Sequence, residues 1–176
     1  MHWKEIIEFW FEEIEPKKHW VKDEVFDELI RSRFGAVHSA ATKGELFTWR
    51  QDPNGRLAEI IVLDQFSRNM FRDKPESFAY DSMALVLSQE AIAAGADKEV
   101  NPDHVSFMYM PFMHSESAVV HVEALKLFES LGSTEYELKH KAIIDKFGRY
   151  PHRNEILGRE STPEELEFLK GPNSSF

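Results

Sequence analysis

The sequence predicts an all-α fold, a single-domain array of about seven to eight antiparallel helices over residues 1–176. Three observations predict it. Apolar residues recur at i, i+3, i+4 and i+7 along most of the chain, Pro and Gly interrupt that pattern at helix-length intervals, and no stretch alternates with period 2 long enough for a strand. Short connections between such helices imply antiparallel neighbours in a bundle or a helix-pair stack.

The elements follow in order. Trp3, Ile6, Ile7, Trp10, Phe11 and Ile14 form one apolar helix face that Pro16 ends. Asp23 is placed to cap a second helix, with Val25, Phe26, Leu29, Ile30, Phe34 and Val37 inward and Gly44 near its exit. Asp52-Pro53-Asn54-Gly55 reads as a turn, after which Leu57, Ile60, Ile61 and Leu63 begin a third helix whose second half is polar. Pro75 suits the first turn of a fourth helix running through Phe78, Leu85 and Val86 to Gly95. Asn101-Pro102 opens a short fifth that Pro111 closes. A sixth runs from Ser115 to Leu131, stopped by Gly132, and Thr134 caps a seventh ending at Gly148. Thr162-Pro163-Glu164-Glu165 starts the last, with a capping Thr, Pro at N1 and Glu at N3. Gly171 to Phe176 reads as a frayed tail.

Composition removes several classes of function. The absence of Cys excludes disulfides, thiolate metal sites and a cysteine nucleophile, and suits a reducing compartment. Glu5, Glu8, Glu12 and Glu13 interrupt every apolar run at the N-terminus, so no signal peptide is read there, and no stretch has the length of a membrane span. A cytoplasmic protein without a membrane partner is expected. A formal net charge of −10 repels phosphate backbones at long range and argues against nucleic acid. Arginines nevertheless gather at two places, Arg68 with Arg72 and the stretch Phe147 to Arg159.

Three polar segments carry more chemistry than a core requires. In Asp64-Gln65-Phe66-Ser67-Arg68-Asn69-Met70-Phe71-Arg72, helical spacing makes Asp64 and Arg68, Gln65 and Asn69, and Arg68 and Arg72 neighbours at i, i+4. Gln65, Arg68 and Arg72 then share a stripe of amide and guanidinium donors, with Phe66, Met70 and Phe71 opposite. A solvated helix face with local ion pairs is the plainer reading. In Met110-Pro111-Phe112-Met113-His114-Ser115-Glu116, the apolar residues deliver His114 to a helix start that Ser115 can cap, a setting that favours anions. His114 is a candidate general acid/base and Glu116 its orienter or an arginine partner; a capping motif beside a hydrogen-bonded histidine is the structural alternative.

The third segment, Phe147 to Arg159, is irregular and basic. Arg149, His152, Arg153, Asn154 and Arg159 supply donors, and arginine forks match phosphate and carboxylate geometry. Crowded arginines need either a bound anion or an internal brace of carboxylates, for which Asp64, Glu116 and Glu155 are available. A metal set of His114 with Glu116 and His121 or His152 matches no zinc or di-iron spacing, and the arginines oppose a cation. Neither metal nor cofactor is expected.

These segments resemble the bacterial family catalogued as domain of unknown function 924, whose members share Asp-Gln-Phe-Pro-Arg-Asn, His-Ser-Glu and Phe-Gly-Arg-Phe-Pro-His-Arg-Asn. Here they stand as Asp64 to Asn69, His114 to Glu116 and Phe147 to Asn154, and Ile156 to Glu165 and Phe26-Asp27 fit as well. The resemblance covers nearly the full length. It implies a compact all-α fold similar to tetratricopeptide-repeat proteins and no established activity. Ser67 stands where the family usually has Pro, which makes for a more continuous helix, and His121 falls near a position often held by Gln.

Two functions follow. In the first, the three segments converge on a pocket for a small anionic molecule, with His114, Glu116 and His152 as catalytic candidates for acid/base or hydrolytic chemistry. Gln65, Arg68, Asn69, Arg72, Ser115, Arg149, Arg153, Asn154 and Arg159 would bind the ligand. No G-x-S-x-G nucleophile signature is present. In the second, a tetratricopeptide-like scaffold presents a groove to a peptide, protein or second copy of the chain, and the Arg/His/Glu cluster is an internal brace.

Overall fold

Polar side chains at the helix starts take up backbone N–H groups that the first turn cannot satisfy. Asp23 accepts from the amides of Val25 and Phe26 at the head of the Glu24–Ala41 helix. Thr162 and Glu165 form the reciprocal capping box at the head of Pro163–Phe168, with Thr162 N–H donating to Glu165 Oε2 at 2.8 Å. The computed structural model describes residues 1–172 and 174, and part of the expected tail, Asn173, Ser175 and Phe176, lies outside the described residues.

The fold is all-α, with about eight helices and no strand among the described residues. They are Trp3–Glu8 running on as a π-helical segment Phe9–Glu13, Glu24–Ala41, a continuous rod of Pro53–Ile61, the π-helical segment Val62–Phe66 and Ser67–Met70, then Asp81–Ala93, Val105–Met113, Ala118–Ser130, Glu135–Phe147 and Pro163–Phe168. Two compact units result. One comprises residues 1–72 and 76–111, the other residues 73–75 and 112–176.

In the first unit the Trp3–Glu8 helix packs on Pro53–Ile61, Glu24–Ala41 on Ser67–Met70, and Asp81–Ala93 on Pro53–Ile61. Its core is aromatic. Phe9 and Phe34 have ring centroids 4.7 Å apart, Phe34 and Phe66 5.1 Å, and Trp10 and Phe66 5.5 Å. Burying each such ring contributes roughly 1.5–3 kcal/mol. In the second unit Ala118–Ser130 packs on Glu135–Phe147, and Ile143, Ile144 and Tyr150 form a small core extended by Phe147 and Phe168.

Several expectations are corrected. Asp52 to Gly55 is the first turn of the third helix: Asp52 caps it by accepting from Asn54 N–H, and Pro53 occupies its first position. Gly55 is required there, because a Cβ would lie 2.1 Å from the Trp49 carbonyl oxygen. Pro75 opens only a 3₁₀ turn, Pro75–Ser77, and the fourth helix begins at Asp81. Pro111 lies inside the fifth helix, which continues to Met113; burial of Met110, Phe112 and Met113 on either side holds the backbone past the missing N–H. Ser115 does not cap the sixth helix, which starts at Ala118 after Ser117. Val25 and Leu29, expected inward, are exposed, while Phe26, Ile30, Phe34 and Val37 are buried.

The third helix does persist through the polar segment. Ser67 is fully buried, its hydroxyl donates to Leu63 O at 2.6 Å, and its oxygen accepts from His38 Nε2–H at 2.8 Å. A proline there could supply neither bond.

Candidate functional site

The first polar segment belongs to the first unit. The π-helical turn Val62–Phe66 adds a residue to the turn and changes which side chains point inward. Asp64 and Gln65 are therefore both buried, and Gln65 Nε2 donates to Asp64 Oδ2 at 2.5 Å and to Met110 Sδ at 3.4 Å. The expected donor stripe of Gln65, Arg68 and Arg72 is not formed. Arg68 makes a two-pronged contact with Asp81, at 2.9 and 3.0 Å, and lies 3.0 Å from Asp64 Oδ1. Arg72 forks onto Asp27 at 2.5 and 2.8 Å, and Asn69 Nδ2 donates to the same carboxylate at 2.8 Å.

The second and third segments meet in the second unit. Glu116 accepts Arg159 Nη1 and Nη2 at 2.6 and 2.9 Å and the Tyr150 amide at 2.7 Å. Burial alone would raise its pKa; the Arg159 fork, the Tyr150 N–H and the charges of Arg153 and Arg159 outweigh burial and hold it below the ordinary value. Arg149 forks onto Glu165 at 2.7 and 2.8 Å and reaches Glu160 O at 2.9 Å. Asn154 bridges the two forks, donating to Ser161 Oγ at 3.0 Å and to Glu165 Oε2 at 3.3 Å, and accepting Arg159 Nε at 2.9 Å. Glu155, expected in a brace, is exposed, and Glu165 takes that part.

Arg153 is placed differently. It is 6% exposed, its guanidinium carbon lies 4.5 Å from the Tyr150 ring centroid, and Nη2 donates to His114 O at 3.0 Å. His152, on the same 3₁₀ turn Pro151–Arg153, has its ring 5.6 Å from that of Tyr150. His114, Ser115 and His152 are half-buried.

Glu137 and His140 of this unit were not singled out by sequence, and His121 was weighed only as a metal ligand beside His114 and Glu116. His121 and Glu137, both fully buried, meet at 2.7 Å between Nδ1 and Oε1. Buried His140 donates from Nδ1 to Tyr136 O at 2.7 Å. Burial is the main cause that lowers its pKa to about 3, with His114, His121 and Arg153 adding like charge, so its ring is neutral near pH 7. The only sequence signal for these residues was a polar group on a buried helical face, which single-residue inspection does not rank.

Acid lability follows from these shifts. His140 is neutral in the folded chain but protonates in the unfolded chain below the ordinary value of 6.5, so stability is lost as pH falls from about 6.5 toward 3. The slope for one such histidine is about 1.4 kcal/mol per pH unit. Glu165, whose carboxyl is held at about 2 chiefly by the Arg149 fork, adds a loss of the same sign from about 4.5 down to 2. Urea denaturation at pH 7, 5.5 and 4 is expected to give a flatter profile for His140→Asn than for the wild type. Parallel profiles would show that His140 is not neutral in the fold.

Two shallow surface depressions lie apart from these groups. One, of about 320 Å³, is lined by Lys139, Ala142, Ile143, Lys146, Phe147, Phe168 and Pro172 of the second unit. The other, of about 290 Å³ in the first unit, includes Ile14, Lys18, Val25 and Phe26. No candidate arginine or histidine lines either. Among the described residues no three His, Asp or Glu side chains are grouped to hold a metal ion, and no helix is long and apolar enough to cross a membrane.

Nothing among curated proteins matches the chain. The solved structure of a protein of unknown function from Agrobacterium tumefaciens, ATU0120, is similar over 96% of this chain and 97% of that one, at 38% identity and a TM-score of 0.92. A family model described as "Bacterial protein of unknown function (DUF924)" matches residues 6–173, which include all three polar segments. The chain belongs to that family.

Proposed function

We propose that the chain binds a small molecule carrying phosphate or carboxylate groups at the second unit's His114, Ser115, His152 and Arg153, with His114 and His152 as the groups that move a proton. One observation carries this reading. A permanently charged guanidinium, Arg153, is buried on the Tyr150 ring and bonded to the carbonyl of His114, next in sequence to His152. The Tyr150 ring has the guanidinium on it at 4.5 Å and the half-buried His152 ring at 5.6 Å, and half-buried His114 supplies the carbonyl; arginine and histidine are residue types that bind an anion and exchange protons with it.

Arg68, Arg72, Arg149 and Arg159, with Asn69, Asn154 and Gln65, are assigned to the fold instead. Each of these four guanidinium groups forks onto a carboxylate of its own unit. Arg50 does the same with fully buried Glu59, at 2.7 and 2.8 Å, outside the three candidate segments. That recurrence favours a second reading, a helical binding scaffold in which the whole arginine set is a brace.

Thermal denaturation with inorganic phosphate or citrate, against sodium chloride at equal ionic strength, separates the two. At ten times its dissociation constant the bound anion stabilises the fold by about 1.4 kcal/mol. That gain is expected in the wild type and lost in His152→Ala. An equal response of both proteins overturns the site, and no response to either anion favours the scaffold.

A further inference from the structure

Three consecutive carbonyls precede Glu116, and each accepts a hydrogen bond from a different side chain of the same unit. The Tyr150 hydroxyl donates to Met113 O at 2.5 Å, Arg153 Nη2 to His114 O at 3.0 Å, and His121 Nε2 to Ser115 O at 2.8 Å. Glu116 is then held through its own side chain by Arg159 and the Tyr150 amide. A four-residue connection between two helices has no ladder of its own to fix its backbone, and here side chains supply one.

The directions of these bonds can be assigned. Met113 O offers only lone pairs, so the Tyr150 hydrogen points to it, and the phenolic oxygen is left to accept. His121 Nε2 therefore faces two acceptors, Ser115 O and, at 3.2 Å, Tyr150 Oη, and must carry a hydrogen. Its other nitrogen meets Glu137 Oε1 at 2.7 Å, and a lone pair facing a carboxylate would be repelled, so a hydrogen lies between Nδ1 and Oε1. A carboxylate that fixes a histidine's orientation through Nδ1 while Nε2 works is an arrangement that sites use to set a ring in place. In this unit Nε2 works on the backbone.

We infer that His121, oriented by Glu137, is a positioning residue: together with Tyr150 and Arg153 it fixes the main chain of Met113 to Ser115 and so sets where the His114 and Ser115 side chains stand. It rests on the proposed site only for what those side chains bind; the clamp itself is a property of the free protein. Preorganised groups lose less freedom when a ligand arrives, so the clamp raises affinity without touching the ligand.

Amide hydrogen exchange at Ser115, whose N–H donates to Phe112 O at 3.2 Å, tests the clamp with no ligand present. His121→Ala is expected to speed that exchange at least about tenfold relative to the amides of Ala118–Ser130, an opening difference of about 1.4 kcal/mol. His121→Gln, whose amide can still donate to Ser115 O, restores slow exchange. Should His121→Ala fail to fold, Tyr150→Phe removes one donor and keeps the ring, and faster exchange at Ser115 is again expected. Exchange that rises evenly over the helix and the connection, or is not restored by Gln, overturns the clamp. Phosphate stabilisation measured on the same proteins is a separate arm. If the wild type shows none while the exchange results hold, the site reading fails and the clamp stands. If phosphate stabilises the wild type and His121→Ala alike, the positioning role fails and the site stands.

Discussion

Replacing Glu137 with alanine is expected to cost about 3 kcal/mol, the loss that follows when one member of a fully buried hydrogen-bonded pair is removed and the other is left unsatisfied. Neither the Glu137 nor the His121 side chain has any exposed surface, so water cannot take the place of the missing carboxylate. Replacing both residues with leucine is expected to cost much less than the sum of the two single changes, because no polar group is then stranded. Chemical denaturation of the two single variants and the double variant measures this. A Glu137→Ala protein within about 1 kcal/mol of the wild type would mean the pair is not a unit.

Asp27→Ala is the second large effect, expected at about 3 kcal/mol. Asp27 is buried, and both its oxygens are used: Arg72 forks onto them and Asn69 shares Oδ1. These bonds tie the start of the Glu24–Ala41 helix to the end of the rod that finishes at Met70. The loss should therefore appear with the unfolding of the first unit, read from its tryptophans Trp3, Trp10, Trp20 and Trp49. If Asp27→Ala changes stability by less than about 1 kcal/mol, the forks are surface pairs in effect and the brace assignment weakens.

Local rules were legible in the sequence and long-range pairings were not. Thr162 to Glu165 and Asp23 with Val25 and Phe26 act within three residues, and the spacing alone foretold them. Gly148 ends its helix at φ 68°, where glycine is favoured, as its position after the last apolar residue suggests. The π-helical turn at Val62–Phe66 was illegible because a 3.6-residue period is assumed throughout, and it moved Gln65 from the surface to the interior. Asp27 lies 45 residues from Arg72 and Glu116 43 from Arg159, distances at which a single sequence cannot pair one carboxylate with one guanidinium. Ser115 looked like a cap because it precedes a helical run, but its carbonyl is engaged by His121 and the helix starts beyond it.

In the proposed reading the arginine forks belong to the fold, and His114, His152 and Arg153 meet the anion. The most direct test of that reading is the histidine ring spectrum of the intact protein, assigned by single substitutions and titrated with inorganic phosphate at constant ionic strength and pH. The His114 and His152 resonances are expected to move and saturate together, while His19, held on Trp10 O, and His38, held on Ser67 Oγ, stay in place. Rings that all stay still, or all drift alike without saturation, would contradict the reading.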